Sequence, residues 1–562
     1  MDNELISVLR QLRQDSKESV NSGKNLSDFS RYMHVERSVE FLLKTCMVDI
    51  SALGGGIVLL VGSAGDGKSH MLSSLKSEID NMGFMSYNDA TESNSPRLSA
   101  IEILKKALLQ FNDDNLMNTT QKLLLAINLG KLSAFVDDCE VQNDFSQLVK
   151  VTQHLVNGNR FLRSRTGDGC SRIKIVDLST QNLFEFYPDR INDVYPVDSS
   201  FMKEVLDRIT TQNESNPFYV AFKNSSSQKD TKLNPVLENY KLLSIHEVKN
   251  SIVKLVIEAI IRLRLIVTPR DFLDFVYSII VPDWIDRYVE KTDFYRSLLP
   301  SLLFQANGHK IQQALSFLDP LKSSTQEHDI ELAKLFASDG IPVDYFAGLP
   351  ICLESRLLST INSRYSNHRA NIGSSVQLVF RLKHILQYHS DSTAYRKYLN
   401  WLCCIFSENT KWKQILDRIE RIMPRHYGSY VDNRLYVPLQ NLQGSKYALF
   451  STALLRRGKP EYIYDLSDPS HFSMCVALNW TIREESVKLI LDYKLFEYLE
   501  CLNAGKLSVN YEGEQNLAFS AFIHDVVKNS ECKRNIIALR VGDGPQQRLE
   551  LNLEDDGEIS LL

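Results

Sequence analysis

Residues 62 to 69 read Gly-Ser-Ala-Gly-Asp-Gly-Lys-Ser, a complete G-x-x-x-x-G-K-[ST] match. Glycines at such spacing let consecutive backbone N–H groups turn toward phosphate oxygens, and a following helix adds the positive end of its dipole. Lys68 is placed to reach β- and γ-phosphates, and the Ser69 hydroxyl to ligate Mg2+. The whole loop, Gly62, Ser63, Ala64, Gly65, Asp66, Gly67, Lys68 and Ser69, is thus the candidate ATP site, with Ser69 the candidate metal ligand.

Hydrolysis needs more than a cradle. A carboxylate must polarise water, and no apolar run ends in the usual acidic pair. Asp89 and Glu92, in Tyr-Asn-Asp-Ala-Thr-Glu-Ser after the run 83 to 87, are the first choice. An Asx-turn and a helix N-cap explain them equally well. Asn128 ends the run 122 to 127, where an amide could hold the magnesium position or sense a γ-phosphate; Asn before Leu-Gly is also a turn residue. Asp177, ending the run 172 to 176, is the remaining candidate.

Arg270 follows Thr268 and Pro269, a cap and a first-turn proline, so it stands at a helix start. A cation there opposes the helix dipole. In ATPases of the AAA+ type an arginine so placed reaches the γ-phosphate; a surface ion pair with Asp271 or Asp274 is the plainer account.

These residues require a particular scaffold. Gly56 to Val61 is a short β-branched run of the kind buried in parallel sheets, followed at once by the glycine loop and a helical pattern from Lys68 to about Asn81. Further runs at 83 to 87, 122 to 127, 172 to 176 and 218 to 222 alternate with helical segments such as 98 to 111. Strands separated by helices imply a parallel sheet covered on both faces, as in P-loop NTPases. The expected organisation is multidomain α/β plus α: a helical lead-in (1–50), a P-loop domain (51–290), a helical middle domain (291–425) and a mixed α/β C-terminal region (426–562). In the last, 484 to 503 reads as helix and 536 to 553 as a hairpin.

Composition narrows the class. An apolar fraction of 43% with 24% charged residues suits packed soluble domains, and the longest apolar candidate, 251 to 267, is interrupted by Lys254, Glu258, Arg262 and Arg264. A charge-mixed start without an apolar h-region predicts no secretory signal there, and nine cysteines without metal-ligand spacing suit a reducing cytoplasm.

With Gly-Ser-Ala-Gly-Asp-Gly-Lys-Ser-His, Tyr-Asn-Asp-Ala-Thr-Glu-Ser and Ala-Ile-Asn-Leu-Gly in this order, residues 30 to 280 resemble the DptF family, the ATPase-like component of bacterial phosphorothioation-dependent DNA restriction. The resemblance implies a cytoplasmic bacterial defence protein working with DptG-like and DptH-like subunits against DNA lacking backbone sulfur. It carries Gly62, Gly67, Lys68 and Ser69 over as the nucleotide loop, and Asp89, Glu92 and Asn128 as matching positions without assigned role. A nucleotide-bound scaffold without turnover and a STAND-type signalling NTPase are the alternatives, and a homo-oligomer is compatible with each.

DNA contact has one candidate, residues 364–426, where eleven Lys and Arg meet four acids among Tyr388, Tyr395, Tyr398, Trp401 and Trp412. Cations interleaved with aromatics form a nucleic-acid footprint. The helical spacing of Tyr395, Tyr398, Leu402 and Ile405 equally predicts a core face. Asp468 and Asp492-Tyr-Lys494 only loosely resemble a nuclease pattern, so strand scission is expected of another subunit.

Overall fold

In the computed structural model of the chain the described residues are 4–13, 27–88, 100–156, 172–190, 195–227, 234–283, 294–322, 326–337, 341–346, 372–388, 393–407, 410–426, 435–440, 447–453, 455–482, 484–506, 513–529, 535–540, 548–553 and 559–561, with 349, 355, 358 and 359 singly. They form two compact units: residues 1–185 with 197–389, and 186–196 with 390–562.

The first unit is mixed α/β around a four-stranded, all-parallel sheet. Its strands are β1 (Gly56–Gly62), β2 (Phe84–Asn88), β3 (Lys122–Asn128) and β4 (Ile173–Asp177), in the order β2-β3-β1-β4. All seven residues of β1 are buried, because strands lie on both its edges and helices on both its faces. Side chains alternate across a strand, so β1 serves two cores. Ile57, Leu59 and Val61 pack with Leu123, Leu125 and Ile127 against helices Ala100–Leu108, Leu129–Val136 and Ser146–Val156. Val58 and Leu60 pack with Leu124, Ala126 and Val176 against Ser38–Ala52, Lys68–Ser74 and Lys76–Asn81.

The expected strand at 218 to 222 is instead part of a helix, Pro217–Ser227. Pro217 suits a first helical turn, and the Asn216 side chain accepts from the Phe218 N–H at 2.9 Å, capping it. Phe218 and Ala221, three positions apart, are then buried on one face. After it come Pro235–Leu243, the long helix His246–Leu263 and Pro269–Ile280. Described helices of the expected helical domain 291–425 fall in both units: Ile372–Leu386 in the first, Thr393–Phe406 and Trp412–His426 in the second.

The second unit combines helices with antiparallel sheets. Asn535–Arg540 and Arg548–Leu553 pair as the expected hairpin within a five-stranded sheet. Residues 484 to 503 are not all helix. Glu485–Leu491 pairs with Val476–Ile482, and helix begins only at Tyr493. Val487, Leu489 and Leu491 alternate inward, a period of two that a helix would scatter around its axis. Among the described residues, no helix is long and apolar enough to cross a membrane.

Candidate functional site

The glycine loop leaves the C-terminal end of β1, where Gly62 lies level with Asn128 of β3. Its neighbour β4 ends at Asp177, level with Val61. All three parallel strands therefore deliver their last residues to the edge from which the loop rises, the place where open α/β sheets bind ligands.

Gly65 (φ 91°) and Gly67 (φ 93°) both occupy the left-handed region, where a side chain is strained. Gly65 is restricted twice over: a Cβ there would meet Thr268 Oγ1 at 2.8 Å. Lys68 folds over the loop, donating to the carbonyls of Gly62 (2.8 Å) and Ser63 (2.7 Å). The Asp66 carboxylate accepts from the Ser63 N–H at 2.5 Å. Burial pushes that carboxyl above its ordinary range, against the Ser63 N–H, Lys68 and Arg37, which favour the ionised form.

Ser69, the expected metal ligand, donates from its hydroxyl to Asn88 Oδ1 at 3.0 Å. The strand-end amide beside Ser69 is thus Asn88, the last residue of β2. Asn128 instead turns its side chain onto its own chain, accepting from Gly130 N–H at 2.9 Å as the cap of helix Leu129–Val136. Asp177 likewise caps a turn, accepting from Ser179 N–H (2.9 Å) and Oγ (2.7 Å). Asp89 and Glu92 lie outside the described residues.

Arg270 sits in the first turn of Pro269–Ile280, half-buried. Thr268 caps this helix in a reciprocal box with Asp271. That same Thr268 abuts Gly65, so Arg270 lies two residues from a direct contact with the loop. Asp271 is paired with Lys310 (2.7 Å) and Asp274 with His309 (3.6 Å). Lys310 also donates to the Ile266 carbonyl at 3.0 Å, binding the helix Lys310–Leu315 to the base of this cap.

Two further groups flank the loop. Arg37 Nη1 donates to the Asp66 carbonyl at 2.9 Å. His70 Nε2 lies 2.9 Å from His34 Nδ1, and His34 Nε2 lies 3.5 Å from the buried carboxylate of Glu40. Burial pushes His70 down to about 4 and Glu40 up to about 7. Nothing in the local sequence marks Arg37 or the His34–His70 pair. Asn88 had a visible signal, a polar residue closing an apolar run.

Along 364–426 the aromatics are mostly interior: Tyr388, Tyr395, Tyr398 and Trp401 are all buried. Several of the cations are paired: Arg381 with Asp319, Lys383 with Glu331, Lys397 and Arg418 with Glu500, and Arg421 with Asp417. The helical spacing reports a core face here, and these four rings are not placed for stacking on bases. Arg364 and Arg369 lie outside the described residues.

The chain matches no family model, no curated protein and no solved structure.

Proposed function

We propose that this chain is a P-loop ATPase, binding ATP with Mg2+ on the loop Gly62 to Ser69. More particularly, it is the DptF-like ATPase subunit of a bacterial restriction assembly, acting in the cytoplasm with DptG-like and DptH-like partners on DNA without phosphorothioate. One observation carries the ATPase reading: the complete motif stands at the C-terminal edge of a buried parallel sheet, with both inner glycines left-handed and Lys68 held by loop carbonyls. The restriction role rests on the Tyr-Asn-Asp-Ala-Thr-Glu-Ser resemblance.

Ser69 supplies a hydroxyl oxygen, a hard donor that fits Mg2+, and its hydrogen bond to Asn88 Oδ1 orients it. Among the described residues no cluster of His, Cys, Asp and Glu could hold a metal ion alone, so magnesium would arrive with the nucleotide phosphates. There it would neutralise phosphate charge. The chain's own residues do the rest: Lys68 moves from the Gly62 and Ser63 carbonyls to the phosphates, and the left-handed glycines free backbone N–H groups to donate. Thr268 and Arg270 stand where loop occupancy can be sensed by the following helices.

A second reading, a nucleotide-bound scaffold without turnover, is favoured by the amides at the ends of β2 and β3. Neither Asn88 nor Asn128 can take a proton from water, which leaves activation to Asp89, Glu92 or Asp177. A turnover assay with wild type and Lys68→Ala, alone and with DNA and partner subunits, separates the two. Lys68-dependent phosphate release establishes the ATPase; Lys68-dependent ATP binding without release establishes the scaffold.

A further inference from the structure

We propose that Arg37 is a positioning residue of the nucleotide site, which holds the Asp66–Gly67 peptide in its phosphate-binding orientation; the inference rests on the nucleotide-binding reading above. Arg37 Nη1 donates to the Asp66 carbonyl at 2.9 Å. In a planar trans peptide the C=O and N–H point to opposite sides. A guanidinium gripping the Asp66 oxygen therefore dictates the direction of the Gly67 N–H, a donor at the crest of the loop.

That peptide needs an external hold. Gly67 has no side chain and sits at φ 93°, and glycine interconverts between positive and negative φ with little steric cost. The loop's other hydrogen bonds act elsewhere. Lys68 grips the Gly62 and Ser63 carbonyls, and the Asp66 carboxylate grips the Ser63 N–H. Lys68 must moreover leave those carbonyls if it is to meet phosphate, whereas Arg37 can keep its bond throughout.

Arg37 is itself rigidly mounted. It is the N-cap residue of Ser38–Ala52, its carbonyl accepting from the Glu40 N–H at 2.9 Å. Val39, Leu43, Cys46, Met47 and Ile50 of that helix are buried in the core shared with β1. The loop is thus tied to a helix that packs on the strand from which it rises. The guanidinium is 3.8 Å from where a Gly67 Cβ would stand, in ordinary contact, so its grip does not crowd the glycine.

The test is calorimetric titration of the full chain with Mg-ATP and separately with inorganic pyrophosphate, for wild type, Lys68→Ala, Arg37→Ala, Arg37→Gln and Arg37→Lys, with melting temperatures alongside. Arg37→Ala and Arg37→Gln are expected to weaken both ligands about tenfold, the scale of one lost charge-assisted hydrogen bond. Melting temperatures should stay near that of wild type, and Arg37→Lys should recover part of the affinity. If Lys68-dependent binding persists and the Arg37 variants bind within twofold of wild type, the positioning role is overturned while the nucleotide site stands. A lowered melting temperature with unchanged affinity of the folded protein overturns it too, in favour of a purely structural contact. Absence of ATP binding by wild type overturns both readings.

Discussion

The Ser69 hydroxyl donates to the Asn88 side-chain oxygen at 3.0 Å, joining the last residue of the glycine-loop motif to the end of an edge strand. If Ser69 ligates magnesium, Asn88 orients that ligand. Asn88→Ala is then expected to lower Mg-ATP turnover, or Mg-ATP affinity if there is no turnover, about tenfold or more, the usual effect of removing a partner of a metal ligand. ATP affinity in EDTA should change much less. Equal losses with and without magnesium would assign Asn88 to the fold alone.

Gly65 and Thr268 make a steric pair that a double-mutant cycle can measure. Gly65→Ala puts a Cβ at 2.8 Å from Thr268 Oγ1 and at φ 91°, and should cost about 2 to 4 kcal/mol in urea unfolding. Thr268→Ala loses the helix cap, about 1 kcal/mol. Because the second change removes the oxygen the first collides with, the double variant should be less destabilised than the sum, by about 1 kcal/mol. Strict additivity would mean the loop and the cap do not touch in solution.

Glu40 and His70 oppose each other in pH dependence. Burial raises Glu40 from 4.5 to about 7, so between those values the folded protein keeps a proton that the unfolded chain releases, and stability falls as pH rises. Burial lowers His70 from 6.5 to about 4, so in that window the unfolded chain takes up a proton that the folded protein does not, and stability rises with pH. His34 is lowered too, by burial and then by Arg208, and acts in the same direction as His70. Glu40→Gln removes the falling component. Its stability should climb from pH 4.5 to 6.5 more steeply than that of wild type, by at most about 1.4 kcal/mol per pH unit for one proton. Superimposable thermal-melt profiles for the two proteins would refute this.

Trp401 tests the reading of the basic stretch. Its ring is buried against Phe496, with centroids 4.8 Å apart, and Arg418 lies over it at 5.5 Å. Trp401→Ala should therefore cost about 3 to 5 kcal/mol in chemical unfolding. A variant of wild-type stability with weakened DNA binding would return the ring to the surface.

What the chain declares by itself is local. The candidate phosphate loop is eight consecutive residues, legible from its own glycines, lysine and serine between a strand pattern and a helix pattern. The runs at 83 to 87, 122 to 127 and 172 to 176 become β2, β3 and β4 with ends shifted by about one residue, because continuous apolar runs between turns have few other uses. The same logic misreads 218 to 222 and 485 to 491, since a five- to seven-residue apolar pattern suits a helix turn as well as a strand. Asn216 decided the first and pairing with Val476–Ile482 the second. The rest of the site was decided by the tertiary structure alone. Asn88 reaches Ser69 across 19 residues and Arg37 reaches Asp66 across 29, while Thr268 meets Gly65 from a different helix altogether. Contacts between distant stretches leave no spacing in the chain to read. Arg37 reaches the loop because its helix, Ser38–Ala52, packs on β1, and Asn88 because β2 runs parallel in the same sheet and ends at the edge from which the loop rises.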